Sequence, residues 1–575
     1  MFTVDQMLAE HYPEMNNRRL IATIVKPILK ILLHEKAFIE FSNDYPELKG
    51  IEFIEQVLEY FQFNCSVCER QKENIPASGA TVLIANHPIG SLDGIALLKL
   101  VHSIRPDVKI VANDLLMSIT PLSEFLLPVR NMTRTSQKFH IKKISHALES
   151  GEVVIWFPAG EVSRFGLNGV RDGKWQQGFL KIAERAKAPI LPVHIKGRNS
   201  TPFYLTSLLA KPLSTPMLVG EMFRQQKKGI RVSIGKLIPH RSYKNLPINR
   251  IEKIKLFKKH LYRLGSKKPE LFETESSIGI PERKANIKSE LKNGQSLVKT
   301  PDDKTIYFFE KLQDSAVIRE IGRLRELTFR AVGEGTGKRR DIDRFDRHYH
   351  HLVLWDDDDL EIAGAYRFID VEKTVAQRGT KGLYTCSLFN LDPERCYFFK
   401  NGLEIGRSFV QQKYWGNRSL DYLWYGFGAY IRENPHYRYL FGPVSISNDM
   451  PTLAKELLIY FYKLYFSDQS SGSYSLNPFQ FSQPQSTLQD QFSGNDYRAD
   501  FKKLKNLLAN LGSSVPTLYK QYTELCEPGG VKFLDFNVDP DFNNCVDGLV
   551  IVDTHMLKER KRKRYLEGNQ KTATA

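Results

Sequence analysis

Val82–Gly94 reads VLIANHPIGSLDG. Val82, Leu83 and Ile84 make a short apolar run that stops at Asn86-His87-Pro88 and Gly90-Ser91, the pattern of a buried strand ending in a turn. Asp93 then opens the amphipathic run Ile95–Val101. His87 is therefore expected at a strand end, on a loop over a rigid sheet, where catalytic groups are commonly carried. A histidine beside a carboxylate takes a proton from a hydroxyl while the carboxylate fixes its tautomer and supports the imidazolium. No Ser or Cys nucleophile is required if the substrate's own hydroxyl attacks. Taken alone, the same residues also describe a histidine in a turn with Asp93 capping the next helix.

Around this turn, strand and helix signals alternate. Val108–Ala112 and Phe125–Val129 read as strands, the second leading into Arg130. Ser136–Ser150 reads as helix, Val153–Phe157 as a buried strand broken at Pro158–Glu161, Lys174–Ala186 as helix and Ile190–Ile195 as strand. Such alternation predicts an α/β layered domain. Upstream, residues 17–41 place apolar residues at helical spacing among Arg18, Arg19, Lys26 and Lys30, which suits either a lipid interface or an ordinary packing helix. Pro27 is expected to kink or divide it.

At 575 residues the chain exceeds one ordinary core, and two domains are expected. A hydrophobic fraction of 42% with 35 Phe and 25 Tyr indicates packed globular units. No apolar run approaches the roughly 20 residues of a membrane span, and MFTVDQMLAEHYPE does not read as a secretory signal. The net charge of +17 favours an acidic partner: nucleic acid, anionic lipid or an acidic carrier protein. Dispersed basic residues and the lack of a recognised motif rank nucleic acid low. Cys65-x-x-Cys68 has no second pair at zinc spacing, so reduced thiols are expected. These features predict a cytoplasmic protein that touches a membrane from one side.

Ser266–Asp303 is polar and aperiodic, as expected of a linker. A helix follows at Ser315–Val332 with Arg325 and Phe329 on one face. GEGTGKRR (333–340) lacks the strand before it and the Ser or Thr after its lysine that a phosphate loop needs. Asp356–Asp359, between the strand-like HLVLW and EIAGAYRFI, reads as a hairpin tip and not a metal site. Leu383–Phe389 reads as a short strand, Leu420–Ile431 as helix, Tyr439–Ile446 as strand and Thr452–Phe466 as helix. Gly406-Arg407 is read as a turn ahead of a helix that could face donor phosphates. Asn477–Asn495 is expected to be an insertion loop. The basic run 558–564 suits either an anionic-lipid patch or a solvated tail.

In order and spacing, Asn86-His87 with Asp93, Arg130 after a strand, FPAGEVSR (157–164) and ILPVHI (190–195) resemble the blocks of the glycerolipid (lysophosphatidate-type) acyltransferases. The resemblance implies that His87 is the general base on an acceptor hydroxyl and Asp93 its support. It implies that Arg130 and the Gly160–Arg164 turn, with Glu161, bind an acidic group of acceptor or donor. Five residues separate His87 from Asp93 where the family usually has four, and Ala159 stands where its third block usually has Glu. Both departures point away from a phosphate-ester acceptor.

In the second half, Arg325 with Phe329, Asp343 with Asp346, Arg367 after Gly364, and Glu404 with Arg407 resemble the ordered signature of the acyl-homoserine lactone synthases. Related ornithine N-acyltransferases of the Gcn5-related superfamily share it, and residues 533–553 resemble hemolysin-like members of this group. The resemblance implies acyl transfer from acyl carrier protein to an amine. Glu404 would be a base or organiser, Asp343 and Asp346 would hold the cationic amino acid, and Arg367 and Arg407 would serve the donor or the substrate carboxylate. Val332 and Gly333 stand near where the synthases usually have Trp.

The expected fold is α/β in two domains. Residues 1–265 form a glycerolipid-acyltransferase-like layered domain, 266–303 a linker, and 304–575 a Gcn5-related N-acyltransferase-like α+β domain. In this order the two halves are similar to the bifunctional ornithine lipid synthases of bacteria. That similarity implies N-acylation of ornithine from 3-hydroxyacyl-[acyl carrier protein] by the second half and O-acylation of the lyso-lipid by the first. It implies no cofactor beyond the acyl carrier protein co-substrate, no metal, and a place on the anionic inner face of the inner membrane. Two alternatives stay open: the same steps on glycine or another amino acid, and a hemolysin-like membrane-binding protein without activity.

Overall fold

The computed structural model describes residues 4–5, 19–112, 119–128, 134–166, 169–209, 211–264, 266, 268–468, 470 and 472–567. The chain divides into two compact units, Met1–Gly279 and Ile280–Ala575.

The first unit contains strands β1 (Asn64–Val67), β2 (Thr81–Ala85), β3 (Val108–Ala112), β4 (Leu126–Pro128) and β5 (Val153–Trp156). A small hairpin, β6 (Arg164–Gly166) and β7 (Gly169–Arg171), precedes β8 (Ile190–Lys196) and β9 (Gly229–Ile234). Seven of these make one sheet in the order β1-β9-β8-β2-β5-β3-β4. β2 is central and parallel to both neighbours. Leu83 and Ala85 enter a core with Leu97, Val101 and Ile54 of the helices Ser91–His102 and Gly50–Tyr60. Val82 and Ile84 enter the opposite core with Leu148, Phe179 and Phe257 of three further helices. Helices on both faces bury the strand twice over, which is why its sequence does not alternate.

Pro27, expected to kink or divide its helix, does not divide it: the helix runs from Arg19 to Leu32. Leu29 and Leu33 pack beside Val4 and Val219. The chain turns instead at His34, whose φ is 52°.

The second unit carries β10 (Gln295–Lys299), β11 (Thr305–Phe309), β12 (His350–Asp356), β13 (Glu361–Asp370), β14 (Phe389–Asn390) and β15 (Gly402–Val410). β16 (Tyr439–Ile446), β17 (Tyr474–Ser475), β18 (Val531–Asp539) and β19 (Cys545–Asp553) follow. Its eight-stranded sheet runs β10-β11-β12-β13-β15-β16-β19-β18. β15 and β16 are parallel, but they pair only from Gly402–Glu404 to Tyr439–Phe441. Beyond Glu404, β15 stays with β13 as far as Val410 and β16 with β19 as far as Ile446, so the two parallel strands part.

A β-bulge lies on β15 at this parting. Arg367 pairs with Gly406 and Ala365 with Phe409, so Arg407 and Ser408 together oppose Tyr366. Arg407 has a φ of 50°, rare for a side-chain-bearing residue. The extra residue switches faces. Leu403 and Ile405 pack with the helices Ser419–Glu433 and Thr452–Phe466, whereas Phe409 packs with the helix Ala316–Ala331.

Four expectations need correction. Gly406-Arg407 is this mid-strand bulge and not a turn ahead of a helix. The unit boundary falls inside the stretch 266–303, as expected, but its second part is no plain linker and contains the helix Lys284–Leu291 and β10. Ile287 and Leu291 are the helix's buried residues, too few for a visible period. Leu383–Phe389 is mostly 3-10 turn, reaching strand only at Phe389. Asn477–Asn495 packs down, with Leu488 and Phe492 in the core.

The basic C-terminal run docks on the helix Ser419–Glu433, where Arg564 pairs with Asp421 and the Tyr565 hydroxyl donates to the same carboxylate at 2.6 Å. A methyl group at Gly428 would collide with the Tyr565 carbonyl oxygen. Gly428→Ala is expected to displace residues 559–567 and cost about 1–3 kcal/mol. Thermal melting and limited proteolysis read this; an unchanged cleavage pattern would contradict the packing.

Candidate active sites

In the first unit, Asn86 ties the end of β2 to β8. Its Nδ2 donates to the Ile195 carbonyl at 2.8 Å, and its Oδ1 accepts the Ile195 N–H at 2.7 Å. Gly90, at a φ of 121°, then swings the chain into the helix Ser91–His102. That turn absorbs the five-residue spacing. Asp93 Oδ1 lies 2.9 Å from His87 Nδ1, while Oδ2 accepts the Ile89 N–H at 2.9 Å. The carboxylate thus braces the turn and faces the imidazole at once. Asp93 is fully buried and the His87 side chain 20% exposed, with its ring stacked on Phe157 at 4.2 Å. With Nδ1 facing Asp93, Nε2 is the nitrogen that can receive a substrate proton. Burial lowers the His87 pKa, but Asp93 and the charge of Asp172 outweigh it and raise it above 6.5.

Asp172 carries no sequence signal, yet it is buried at the centre of this site. Oδ1 accepts the His87 N–H at 3.2 Å and the Ser163 hydroxyl at 2.5 Å; Oδ2 accepts the Trp175 indole at 2.8 Å. The Ser163 N–H donates to the His87 carbonyl at 2.7 Å. These bonds hold the Gly160–Arg164 turn against the histidine turn. Gly160 has a φ of 66°, and Glu161 and Arg164 lie 3.6 Å apart. Arg164 also bonds Ser207 and lies over the Phe203 ring. Arg130 lies outside the described residues.

In the second unit, Arg325 is fully buried and donates to Asp346 Oδ1 at 2.7 Å. Arg367 reaches the same oxygen at 3.2 Å and donates to Asp343 Oδ1 at 2.7 Å. Asp346 Oδ2 accepts the Asp343 N–H at 2.9 Å. Burial pushes both acids up, but the arginines outweigh it and hold Asp343 below and Asp346 well below the usual carboxylate range. Both Asp346 oxygens are occupied. The pair read as holding a cationic substrate also neutralises buried arginines, and Asp343 Oδ2 is left buried without a hydrogen-bond partner.

Arg407, turned by the bulge, lies between the Tyr384 and Phe542 rings at 4.7 Å from each, with Asp341 at 3.1 Å. Phe329 packs edge-on against Phe542 at 5.1 Å and so backs Arg407. Glu404, at the parting of the parallel strands, is 1% exposed. Its Oε1 accepts the Thr385 N–H at 2.9 Å, and Oε2 is buried without a hydrogen-bond partner. Burial pushes its pKa up to about 7, against the Thr385 N–H, the neighbouring Tyr349 and Thr385 hydroxyls and the charge of Arg367. A carboxylate that exchanges a proton near neutrality suits general base work on an ammonium. In the loop 333–340, Glu326 accepts the N–H groups of Thr336 and Gly337 at 3.1 and 2.8 Å, filling the place a phosphate would take.

Two family descriptions match this chain: "Acyltransferase" over residues 6–267 and "Acetyltransferase (GNAT) domain" over residues 324–425. A lyso-glycine lipid O-acyltransferase of Bacteroides thetaiotaomicron is 31% identical over 250 residues, 42% of this chain and 90% of the relative. This chain belongs to the acyltransferase family. A glycine N(alpha)-acyltransferase of Phocaeicola vulgatus is 29% identical to this acyltransferase over 306 residues, 50% of the chain and 92% of the relative. An L-ornithine N(alpha)-acyltransferase of Brucella abortus is 31% identical over 131 residues, 20% of the chain and 45% of the relative. The solved 1-acyl-sn-glycerophosphate acyltransferase of Thermotoga maritima has 17% identity and a TM-score of 0.27, covering 43% of this chain and 99% of its own.

An imidazole acts as a base only when neutral, so O-acyl transfer that depends on His87 should rise with pH through a midpoint above 6.5. Asp93→Asn should move that midpoint down and cut kcat roughly a hundredfold or more. A pH–rate profile measures both, and an unmoved midpoint would contradict the pairing. N-acyl transfer should rise through a midpoint near 7, where the Glu404 carboxylate forms, and Glu404→Gln should abolish that limb.

Proposed function

We propose that this chain makes a two-chain aminolipid in consecutive steps on ornithine. In the second unit, Glu404 takes a proton from the α-ammonium group. The amine nitrogen then attacks the thioester carbonyl of a 3-hydroxyacyl carrier protein, so a C–N bond forms, the C–S bond breaks and the carrier leaves as its thiol. In the first unit, His87 Nε2 takes the proton of the new 3-hydroxyl. The alkoxide oxygen attacks a second acyl thioester, and the imidazolium returns its proton to the departing thiolate. No cofactor beyond the carrier-bound acyl groups enters either step.

The observation that carries this reading is the joining, in one chain, of a His–Asp pair suited to a hydroxyl and a buried glutamate suited to an amine. The relatives support the order of steps, since one is named for acylating an amino acid and another for acylating a lyso-lipid. The same names favour glycine as the second reading of the head group. Among the described residues no helix is long and apolar enough to cross a membrane. Ile28 and Ile31, 54% and 79% exposed, suit docking of this helix's apolar face on a bilayer interface, while Lys26 and Lys30 on the other face pair with Asp5.

Lipid extracts of a host that lacks aminolipids and expresses this chain test the reading. Ornithine with two acyl chains is expected; a glycine lipid would support the second reading, and no new lipid would overturn both. His87→Ala should accumulate the monoacylated product, and Glu404→Ala should remove both products. Loss of the first step in His87→Ala would contradict the division of labour.

A further inference from the structure

β16, β19 and β18 lie side by side. Their register sets Ser445, Asp547 and Asn537 in one row across the sheet, with Cys545 and Asp539 in a neighbouring row on the same face. The Ser445 hydroxyl donates to Glu334 Oε2 at 2.9 Å, which brings a third carboxylate onto that face. Glu334, Asp539 and Asp547 are 7%, 4% and 5% exposed. Asp539 accepts the Tyr384 hydroxyl at 3.2 Å and the Asp541 N–H at 2.9 Å.

Asp547 is different. Among the described residues no N–H, O–H or cation meets its carboxylate, and its hydrogen-bond neighbour is the Cys545 thiol at 4.0 Å. Arg407 acts on all three acids through space, but its ion pairs are with Asp341 and Asp343. Burial and mutual repulsion raise Asp547 well above the usual carboxylate range, and burial pushes Glu334 up to about 7. Asp343 and Asp346, matched by arginines, are held low. A buried carboxylate met by nothing stronger than a thiol is costly, and a cation that enters beside it removes the cost. The parallel strands part at Glu404, whose register with Phe441 puts its side chain on this same face.

We propose that Glu334, Asp539 and Asp547 receive the second, side-chain ammonium of a diamino acid and so select the head group at the N-acylation site. This rests on the reading of the second unit as an amino-acid N-acyltransferase. The acids keep the side-chain ammonium charged and unreactive. With the side-chain ammonium held there, the α-amine is the group presented to Glu404.

The test uses the full chain with 3-hydroxyacyl carrier protein and compares L-ornithine with L-norvaline, which has the same carbon skeleton without the terminal amine. The unaltered chain should prefer ornithine in kcat/KM by at least about thirtyfold, the scale of a buried charge pair lost. Asp547→Asn should erase that preference, mainly through the KM for ornithine, and Glu334→Gln should weaken it. Equal use of ornithine and norvaline by the unaltered chain would overturn the pocket and leave the N-acyltransferase reading standing. Use of glycine with neither five-carbon amino acid would overturn the ornithine reading as well. A full ornithine preference kept by Asp547→Asn would overturn the assignment of residues.

Discussion

A charge taken out of water must meet an opposite charge or give up its ionised form, and the chemistry of this chain follows from how its buried groups meet that constraint. Asp93 meets it by facing His87, which fixes the ring and makes it a stronger base. Asp346 meets it between Arg325 and Arg367, joining the helix Ala316–Ala331 to β13. Glu404 meets it in neither way on one of its oxygens, and its pKa rises to about 7. Pairing with arginine gives scaffold, whereas pairing with an imidazole, or lack of pairing, gives reactivity.

The first site was legible from residues because its parts are close in the chain. A buried strand, a turn of Pro and Gly, and a carboxylate in the next helical turn bring His87 and Asp93 together by local geometry alone. Asp172 was not legible. It reaches the histidine turn across 85 residues, and nothing in RDGKW marks an aspartate that would accept His87, Ser163 and Trp175 together.

In the second unit the sequence marked the charged residues but not their partners. Asp343 and Asp346 read as acids for a substrate, and the arginines that also pair with them lie on other elements. Arg407 looked like part of a turn because a bulge has no signature beyond a permissive neighbour, here Gly406. The acids at 334, 539 and 547 come from a loop and from two paired strands far down the chain, and only the register and the Ser445 contact show that they share a face.

The two sites need different acceptors, so each can be supplied separately. Purified Glu404→Ala chain, given synthetic 3-hydroxyacyl-ornithine and an acyl carrier protein thioester, is the most direct test of the claim that His87 finishes what Glu404 begins. We expect a second acyl chain on the 3-hydroxyl at the rate of the unaltered protein, and none when His87→Ala is added. Failure of the Glu404→Ala chain to acylate this lipid, or acylation that persists without His87, would contradict the claim.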